Sequence, residues 1–423
     1  MENTERNLYI VVASVLFALA AAGIITDGLS ETIKGLMTLQ IKGARLIQDF
    51  TVVGVGAALL NAALVATIGL VLVFFSSVSL SGPTIAAIFT MAGFGLFGKT
   101  VLNCLPIIGG VWIAARIARK KLGSYSLIAL FGTALGPLVT YIMFELGISL
   151  AVSIPLGILT GVAVGFILPA VAGSMLGLHQ GYNLYNVGFT CGFIGLFFSS
   201  LLKGANKMAP LEIVWNLQPH PTLIFLIPII CAGFILAALL FEGAHKTKDI
   251  IVAFLSLQKL SGRLPTDFVD NSSAAGTLLN MGLLGFASWG YVALVGAPFN
   301  GPVLGGIFTV IGFGAFGKTL RNSWPIVAGA VLATWVFGKQ FSAPGPILAA
   351  LFCTTLAPVA GQFGIIAGLV AGFIHLFMVE TTAAWHGGLD LYNNGFAGGL
   401  TATLIVAVLQ WYNTNRPKED FDR

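Results

Sequence analysis

Charge is what this sequence has least of. Only 9% of its 423 residues are Asp, Glu, Lys or Arg, against about 25% in a soluble domain, so ionic groups cannot cover a water-exposed surface. Cysteine is sparse as well. Cys104, Cys191, Cys231 and Cys353 stand singly in apolar sequence with no C-x-x-C pair, which gives no reason to expect a disulfide framework or a metal site. Long polar stretches are also missing: the longest, near 203–221 and 242–269, are too short for a soluble catalytic domain. The sequence gives no reason to expect a cofactor either.

What is present is apolar. Hydrophobic residues make up 57% of the chain and the mean hydropathy is +0.94. The runs at 8–25, 52–75, 149–171 and 221–241 carry almost no charge, and about 20 such residues suffice to cross ~30 Å of hydrocarbon as helix. The chain therefore reads as a multi-pass helical membrane protein. The N-terminal run contains small-residue sites resembling a signal-peptidase site, but its counterpart at 223–241 cannot be a leader, so both are read as spans.

The chain is one unit written twice. Gly82–Gly110 lies on Gly301–Gly329 without a gap, sharing Gly-Pro, Ile-Phe-Thr, Gly-Phe-Gly, Phe-Gly-Lys-Thr, Asn and Pro-Ile. TLQIKGARLIQDF (38–50) matches SLQKLSGRLPTDF (256–268), GILTGVAVGFI (157–167) matches GIIAGLVAGFI (364–374), and HQGYNLYNVGF (179–189) matches HGGLDLYNNGF (386–396). This divides the chain into repeats at 1–210 and 211–423. Each repeat reads as about seven apolar helical elements, in the first roughly 8–26, 51–75, 82–98, 99–118, 124–148, 149–173 and 181–202. The third and fourth are either full spans or a re-entrant hairpin. In both cases the crossings per repeat are odd, seven or five, so the second copy must enter the membrane from the other side. The expected fold is an all-α polytopic membrane protein of two inverted-topology repeats.

The basic residues give an independent reading of orientation. With both termini cytoplasmic, that side receives Arg6, Arg116, Arg119, Lys120, Lys121, Lys246, Lys248, Lys259, Arg263, Lys318, Arg321, Arg416, Lys418 and Arg423. The other side receives Lys34, Lys42, Arg45, Lys99, Lys203, Lys207 and Lys339. The run ARIARKK in repeat one is replaced by VFGKQFS in repeat two, as suits duplicated loops in opposite compartments. The net charge of +5 thus records topology and not nucleic-acid binding, and the prokaryotic cytoplasmic (inner) membrane is the expected location.

GFGLFGKT (93–100) and GFGAFGKT (312–319) both fit the phosphate-loop pattern G-x-x-x-x-G-K-[ST]. That pattern works when a buried strand feeds a glycine turn that opens a helix. Here the approach, SGPTIAAIFTMAGFG, is an apolar membrane segment, and nucleotide hydrolysis is rejected. The glycines permit a break, after which Lys99-Thr100 and Lys318-Thr319 open new helices. Helix N-termini attract anions, so hairpin tips carrying Lys99, Thr100, Asn103, Lys318, Thr319 and Asn322, meeting near the midplane, would form a solute site. If the elements cross fully, the lysines snorkel to the interfaces.

A second cluster comprises His179, Asn183, Tyr185 and Asn186 in repeat one and His386, Asp390, Tyr392 and Asn393 in repeat two. Such groups in apolar sequence need partners, either one another or a polar solute. Only repeat two has a titratable group where repeat one has Asn183, so Asp390, with Glu380, His386 and His179, forms the candidate set for a proton or coupling ion. Glu145, deep in an apolar run, is a candidate lysine partner. Asp49 and Asp267 read as interfacial ion pairs with Arg45 and Arg263. The Gly157-Gly161-Gly165 and Gly364-Gly368-Gly372 ridges read as helix packing, within a protomer or in a homo-oligomer.

The duplicated IFTxxGFGxFGKTxxNxxPI and HxGxxLYNxGF elements resemble a prokaryotic membrane-protein family of unknown function, a resemblance that covers the whole chain and implies no activity. A weaker likeness is to urea transporters, also inverted duplications, through NGPVLGGIFTVIGF (300–313) and GYNLYNVGF (181–189). There Asn-Gly-Pro stands in place of that family's Asn-Pro, and the likeness implies architecture alone. The expected function is transport of a small polar solute, anionic or zwitterionic, bound between the repeats. The alternatives are a facilitative channel for a neutral solute such as urea, a membrane-embedded enzyme, or a structural or assembly role. The enzyme is disfavoured because no paired nucleophile and base stands out, and the expected partners are the solute, the bilayer and a second copy of the chain.

Overall fold

The computed structural model describes residues 3–242 and 247–415, and their regular structure is helical apart from one isolated bridge between Gln48 and Val214. Repeat one contains α1 (Asn3–Asp27), the amphipathic α2 (Leu29–Gln40), α3 (Val55–Phe75), α4 (Gly82–Phe94), α5 (Val101–Ile117), α6 (Leu122–Glu145), α7 (Leu150–His179) and α8 (Asn186–Gly204). Repeat two follows the same order. It contains α9 (Pro221–Glu242), α10 (Thr247–Leu257), α11 (Ala274–Leu294), α12 (Gly301–Phe313), α13 (Leu320–Val336), α14 (Pro344–Phe363), α15 (Ile365–Trp385) and α16 (Asn393–Asn415). Among the described residues, 10 helices are long and apolar enough to span a bilayer: α1, α3, α6, α7, α8 and their counterparts. Each repeat therefore crosses five times.

The remaining pair, α4 and α5, forms a re-entrant hairpin. α4 leaves from the loop after α3, and the turn after α5 comes back to that loop, where Gly123 packs on Ser76 and Val78. The start of α1 lies at the same face, since the Leu80 N–H donates to Glu5 (3.1 Å). We call this the near face and the opposite one the far face. The snorkelling alternative for Lys99 and Lys318 falls with the hairpin: both lysines are completely buried. Helix interruption follows from sequence in α6 and α14 as well. Pro137 and Pro358 lack an N–H and crowd the carbonyl four residues back, and the chain tightens into 3₁₀ turns at Thr133–Leu135 and Cys353–Leu356.

The inversion can be read from two aspartates. Asp49 precedes α3 at the far face, while Gly82 opens α4 at the near face. The equivalent of Asp49 is Asp267, and its carboxylate accepts the Gly82 N–H (3.1 Å). Asp49 in turn accepts the Gly301 N–H (3.2 Å) at the start of α12. Equivalent residues thus lie on opposite faces, and each caps the hairpin of the other repeat. Asp49 also accepts from the Thr51 N–H, the Thr51 hydroxyl and the Asn216 N–H (2.9, 2.7 and 3.1 Å). This corrects the ion-pair expectation: Arg45 instead pairs with Glu145 (3.3 Å), which is therefore no lysine's partner, and Arg263 donates to the Gln180 carbonyl (2.7 Å). Backbone donors at a helix start are as good a partner for a carboxylate as arginine, and they are fixed in place.

The hairpins pass each other and do not meet tip to tip. α4 and α12 run antiparallel: Gly82 lies against Ala315, Gly93 against Gly305, and Gly301 against Leu96. Each first helix has 13 residues, about 20 Å, so two that enter a ~30 Å core from opposite faces must overlap. Glycine at the crossing lets the backbones touch. The glycine ridges likewise pack internally, Gly161 on Pro106, Gly165 on Ile107 and Gly372 on Ile326. Lys246, Arg416, Lys418 and Arg423 lie outside the described residues.

Two outcomes test this arrangement. In a cysteine-free background, Arg119→Cys and Lys339→Cys are expected to react with an impermeant thiol reagent from opposite sides of sealed vesicles. Labelling of both from one side would contradict the inversion. Asp49→Ala, which removes the acceptor of the Gly301 N–H while Asn300 still caps α12 through the Val303 N–H, is expected to cost about 1–2 kcal/mol, the range for a lost capping bond, read as a lower unfolding temperature in detergent.

Candidate functional site

The hairpin tips are built by one set of hydrogen bonds used twice. Asn61, on α3, donates to the Gly95 and Lys99 carbonyls (2.7 and 2.8 Å), and Asn280, on α11, donates to those of Gly314 and Lys318 (2.7 and 2.8 Å). Each asparagine is oriented by a glutamine at 3.1 Å, Gln40 at the end of α2 or Gln258 just after α10. Gly98 and Gly317 take positive φ (138° and 95°), the backbone region that favours glycine. Thr100 and Asn103 then cap α5 reciprocally, and Thr319 and Asn322 cap α13 in the same way. The amides of Asn103 and Asn322 also donate to the Gly98 and Gly317 carbonyls (2.9 Å each). These four residues hold the tips, and their capping bonds take up donors at the helix starts that an anion would otherwise use. The phosphate-loop spacing here encodes a glycine break followed by a self-capped helix.

The lysines at the tips reach across the repeat boundary. The Lys99 amine donates to the Tyr392 hydroxyl (2.5 Å) and contacts the Thr133 hydroxyl (2.6 Å). Lys318 donates to the Tyr185 hydroxyl (2.5 Å). Tyr185 and Tyr392 are equivalent, so the two bonds exchange under the pseudo-two-fold. Each amine also lies 4.6 Å from the centroid of the tyrosine ring it bonds. Among the described residues neither lysine has a carboxylate within ion-pairing distance.

The tyrosines belong to a closed ring of six aromatic side chains, three from each repeat. Phe94 contacts Tyr392, Tyr392 contacts Phe131, and Phe131 contacts Phe313, with centroids 4.5, 6.4 and 5.7 Å apart. Phe313 contacts Tyr185, Tyr185 contacts Phe352, and Phe352 returns to Phe94, at 4.8, 6.5 and 5.5 Å. The pseudo-two-fold maps the ring onto itself and sets the two tyrosines opposite each other. All six side chains line a cavity of 260 Å³, together with the equivalent Thr90 and Thr309.

This cavity extends toward the near face along Leu127, Leu176, Leu264 and Pro265. A second cavity of 200 Å³ lies on the far side, against Leu348, Ala383, Leu46 and Ile47, the counterparts of those four residues. The two share Phe352, Leu391 and Asn394. The far cavity is flanked by Leu211 and Ile213 of the segment joining the repeats. That segment is pinned by Arg45 on the Ala209 and Pro210 carbonyls (2.9 and 2.6 Å) and by Gln48 on the Glu212 carbonyl (2.8 Å).

The second sequence cluster divides into supports and liners. His179 accepts the Asn183 N–H on Nδ1 (3.2 Å) and contacts Asn186 through Nε2 (2.9 Å). His386 does the same with Asp390 and Asn393 (3.4 and 2.9 Å). Both imidazoles are thereby held as loop braces. Asn186 lines the near cavity, Asn393 the far one. Glu380 lies in the far cavity and pairs with Lys339 (3.0 Å). Asn61, Asn280, Thr133 and the four ring phenylalanines were not singled out in the sequence. The two asparagines carried a signal, being polar residues at matching positions of apolar helices. Phe94 and Phe313 stand in the duplicated Gly-Phe-Gly element, whereas Phe131 and Phe352 carry no signal in a chain with 32 phenylalanines.

A family model described as "Protein of unknown function (DUF1576)" matches residues 29–204 and 246–411. The chain belongs to the DUF1576 family. The two matched segments fall on the two structural repeats, so the family's defining sequence takes in both hairpins and both Leu-Tyr-Asn loops. Among curated proteins and among solved structures nothing matches this DUF1576 chain.

Because each asparagine satisfies two buried carbonyls, Asn61→Ala and Asn280→Ala are each expected to destabilise the protein by about 1–3 kcal/mol. Thermal unfolding in detergent measures this. Equal losses from the two variants are the signature of equivalent tips.

Proposed function

We propose that this protein is a transporter of the cytoplasmic membrane that moves a small organic solute bearing a hydrogen-bond acceptor, in first place a carboxylate, through the aromatic ring between its two repeats. The observation that carries the reading is the pair of equivalent cavities converging on that ring from opposite faces. Inverted repeats that frame a site between broken helices are the usual plan of secondary transporters, and irregular backbone at membrane depth is tolerated where it lines a cavity.

The chemistry of the ring favours an acceptor. An ammonium only donates, so each tyrosine oxygen accepts from its lysine and its own hydrogen is left to donate, on the Tyr185 side with Thr354 also within hydrogen-bonding reach. Two such polarised phenols face each other across the ring, and phenylalanine faces receive the solute's apolar part. With the near face cytoplasmic, Arg6, Arg116, Arg119, Lys120, Lys121, Lys248, Lys259 and Arg263 lie inside, in accord with the positive-inside bias. Both termini are then cytoplasmic.

A second reading has one observation in its favour. Among the described residues no charged side chain lines the aromatic cavity, as suits a channel for a neutral solute such as urea. Proteoliposomes challenged with lactate, benzoate, an amino acid or urea, and followed by light scattering, separate the two. Carboxylate flux above that of empty vesicles is expected, reduced about tenfold in Tyr185→Phe and Tyr392→Phe, the equivalent of ~1.4 kcal/mol for a charge-assisted hydrogen bond. Urea flux alone, indifferent to both substitutions, would favour the channel, and no flux of any solute would refute transport of this class.

A further inference from the structure

Asn183 and Asp390 occupy equivalent places in the two Leu-Tyr-Asn loops, and their surroundings differ in an informative way. The Asn183 Oδ1 accepts from the Tyr185 N–H (3.2 Å) and the Thr355 hydroxyl, while its Nδ2 donates to the Gly395 carbonyl (3.0 Å). The Asp390 Oδ1 accepts from the Tyr392 N–H (2.8 Å). The counterpart of Thr355 is Ala134, so the hydroxyl donor is missing on that side. Asp390 Oδ2, fully buried, has no hydrogen-bond partner. It holds the place of the donating amide nitrogen of Asn183, whose carbonyl partner Gly395 corresponds to Gly188. An ionised carboxylate has only acceptors, and here it would meet one donor where its neutral counterpart meets two. With the proton on Oδ2, its O–H takes the donating role that Nδ2 has in Asn183, and the missing hydroxyl is the one contact left unmatched.

The titratable groups around Asp390 are Lys99 from the hairpin tip, Cys191 from α8, and His386 and Tyr392 from its own loop. Lys203 in turn acts on His386. Cys191 is a free thiol and His386 is held at both nitrogens, so Lys99 is the cation able to answer a charge on Asp390. It lies within electrostatic reach but outside ion-pair contact, its amine being spent on Tyr392 and Thr133.

We propose that Asp390 is a proton-binding site, neutral in this structure, whose ionisation moves Lys99 from the Tyr392 hydroxyl to the carboxylate and so switches the solute site. In that step the Oδ2–H bond breaks, the electron pair stays on the carboxylate, and the proton leaves to water on the far side, where Asn393, bonded to His386, lines the cavity. Tyr392 loses its polarising partner, and its free hydroxyl no longer matches Tyr185. Repeat one has no counterpart, because Asn183 cannot ionise and Lys318 faces no acid there. The proposal rests on the transporter reading for its consequence, proton coupling, but not for the protonation itself.

Infrared difference spectroscopy of the full chain in lipid nanodiscs tests it without any solute. A protonated-carboxyl band is expected at neutral pH, absent in Asp390→Asn and lost from the wild type on alkaline titration. Asp390→Asn should fold, since Asn183 already occupies this geometry. Should it not, the same band in wild type must shift on ¹³C-aspartate labelling. Lys99→Met should raise the pH at which the band vanishes by about one unit or more, because a nearby cation favours the charged carboxylate. No aspartate-derived protonated band at neutral pH overturns the proton site, and a titration unmoved by Lys99→Met overturns the switch. If the band behaves as expected while vesicles show no carboxylate flux, the transporter reading fails and the proton site stands.

Discussion

A broken helix inside a bilayer leaves backbone carbonyls and amides that water cannot reach, and the whole centre of this protein is organised around satisfying them. Each hairpin interrupts its helix at a Gly-x-x-Gly-Lys-Thr segment, and each unpaired group finds a dedicated partner. Asparagine from the neighbouring span takes carbonyls of the tip, the Thr–Asn box takes amides of the second helix, and an aspartate of the opposite repeat takes the amide that opens the first helix. In hydrocarbon each unmet group costs several kcal/mol, so none of these bonds is dispensable in the way that a surface bond is.

Cross-capping has a consequence beyond stability. Because Asp49 serves α12 and Asp267 serves α4, neither hairpin is complete without the other repeat. The lysine–tyrosine bonds repeat the logic one layer further in, each tip amine ending on a phenol of the other half. The six-membered aromatic ring closes only when both repeats contribute. Motion of one repeat against the other must therefore be carried by elements other than these shared caps. The segment between the repeats, fastened by Arg45 and Gln48 over the far cavity, marks the two faces as unequal in an otherwise two-fold arrangement.

The other departure from symmetry lies in the polar loops. Asn183 with Thr355 and Asp390 with Ala134 are paired substitutions: where the side chain is an amide, a hydroxyl supports it, and where it is an acid, the hydroxyl is gone. Pseudo-symmetry turns such a difference into a controlled comparison within one molecule. The same backbone holds both side chains, so the contrast in partners comes from those two exchanges, Asn183 for Asp390 and Thr355 for Ala134.

Apolar length, the duplicated motifs and an odd element count were legible directly, because they depend on local hydropathy and on counting, and they determined a membrane fold of two inverted copies. Lys99, Lys318, Tyr185, Tyr392, Asn183 and Asp390 were legible as exceptions, since a polar residue in apolar sequence needs a partner whatever the fold. Who that partner is was not legible. Lys99 meets Tyr392 from 293 positions away, and no periodicity carries information over that separation. Hairpin against full span, capping aspartate against ion pair, and a ring selected from 32 phenylalanines were decided only by tertiary structure. Each turns on which faces meet after two ~20 Å helices overlap inside a ~30 Å core.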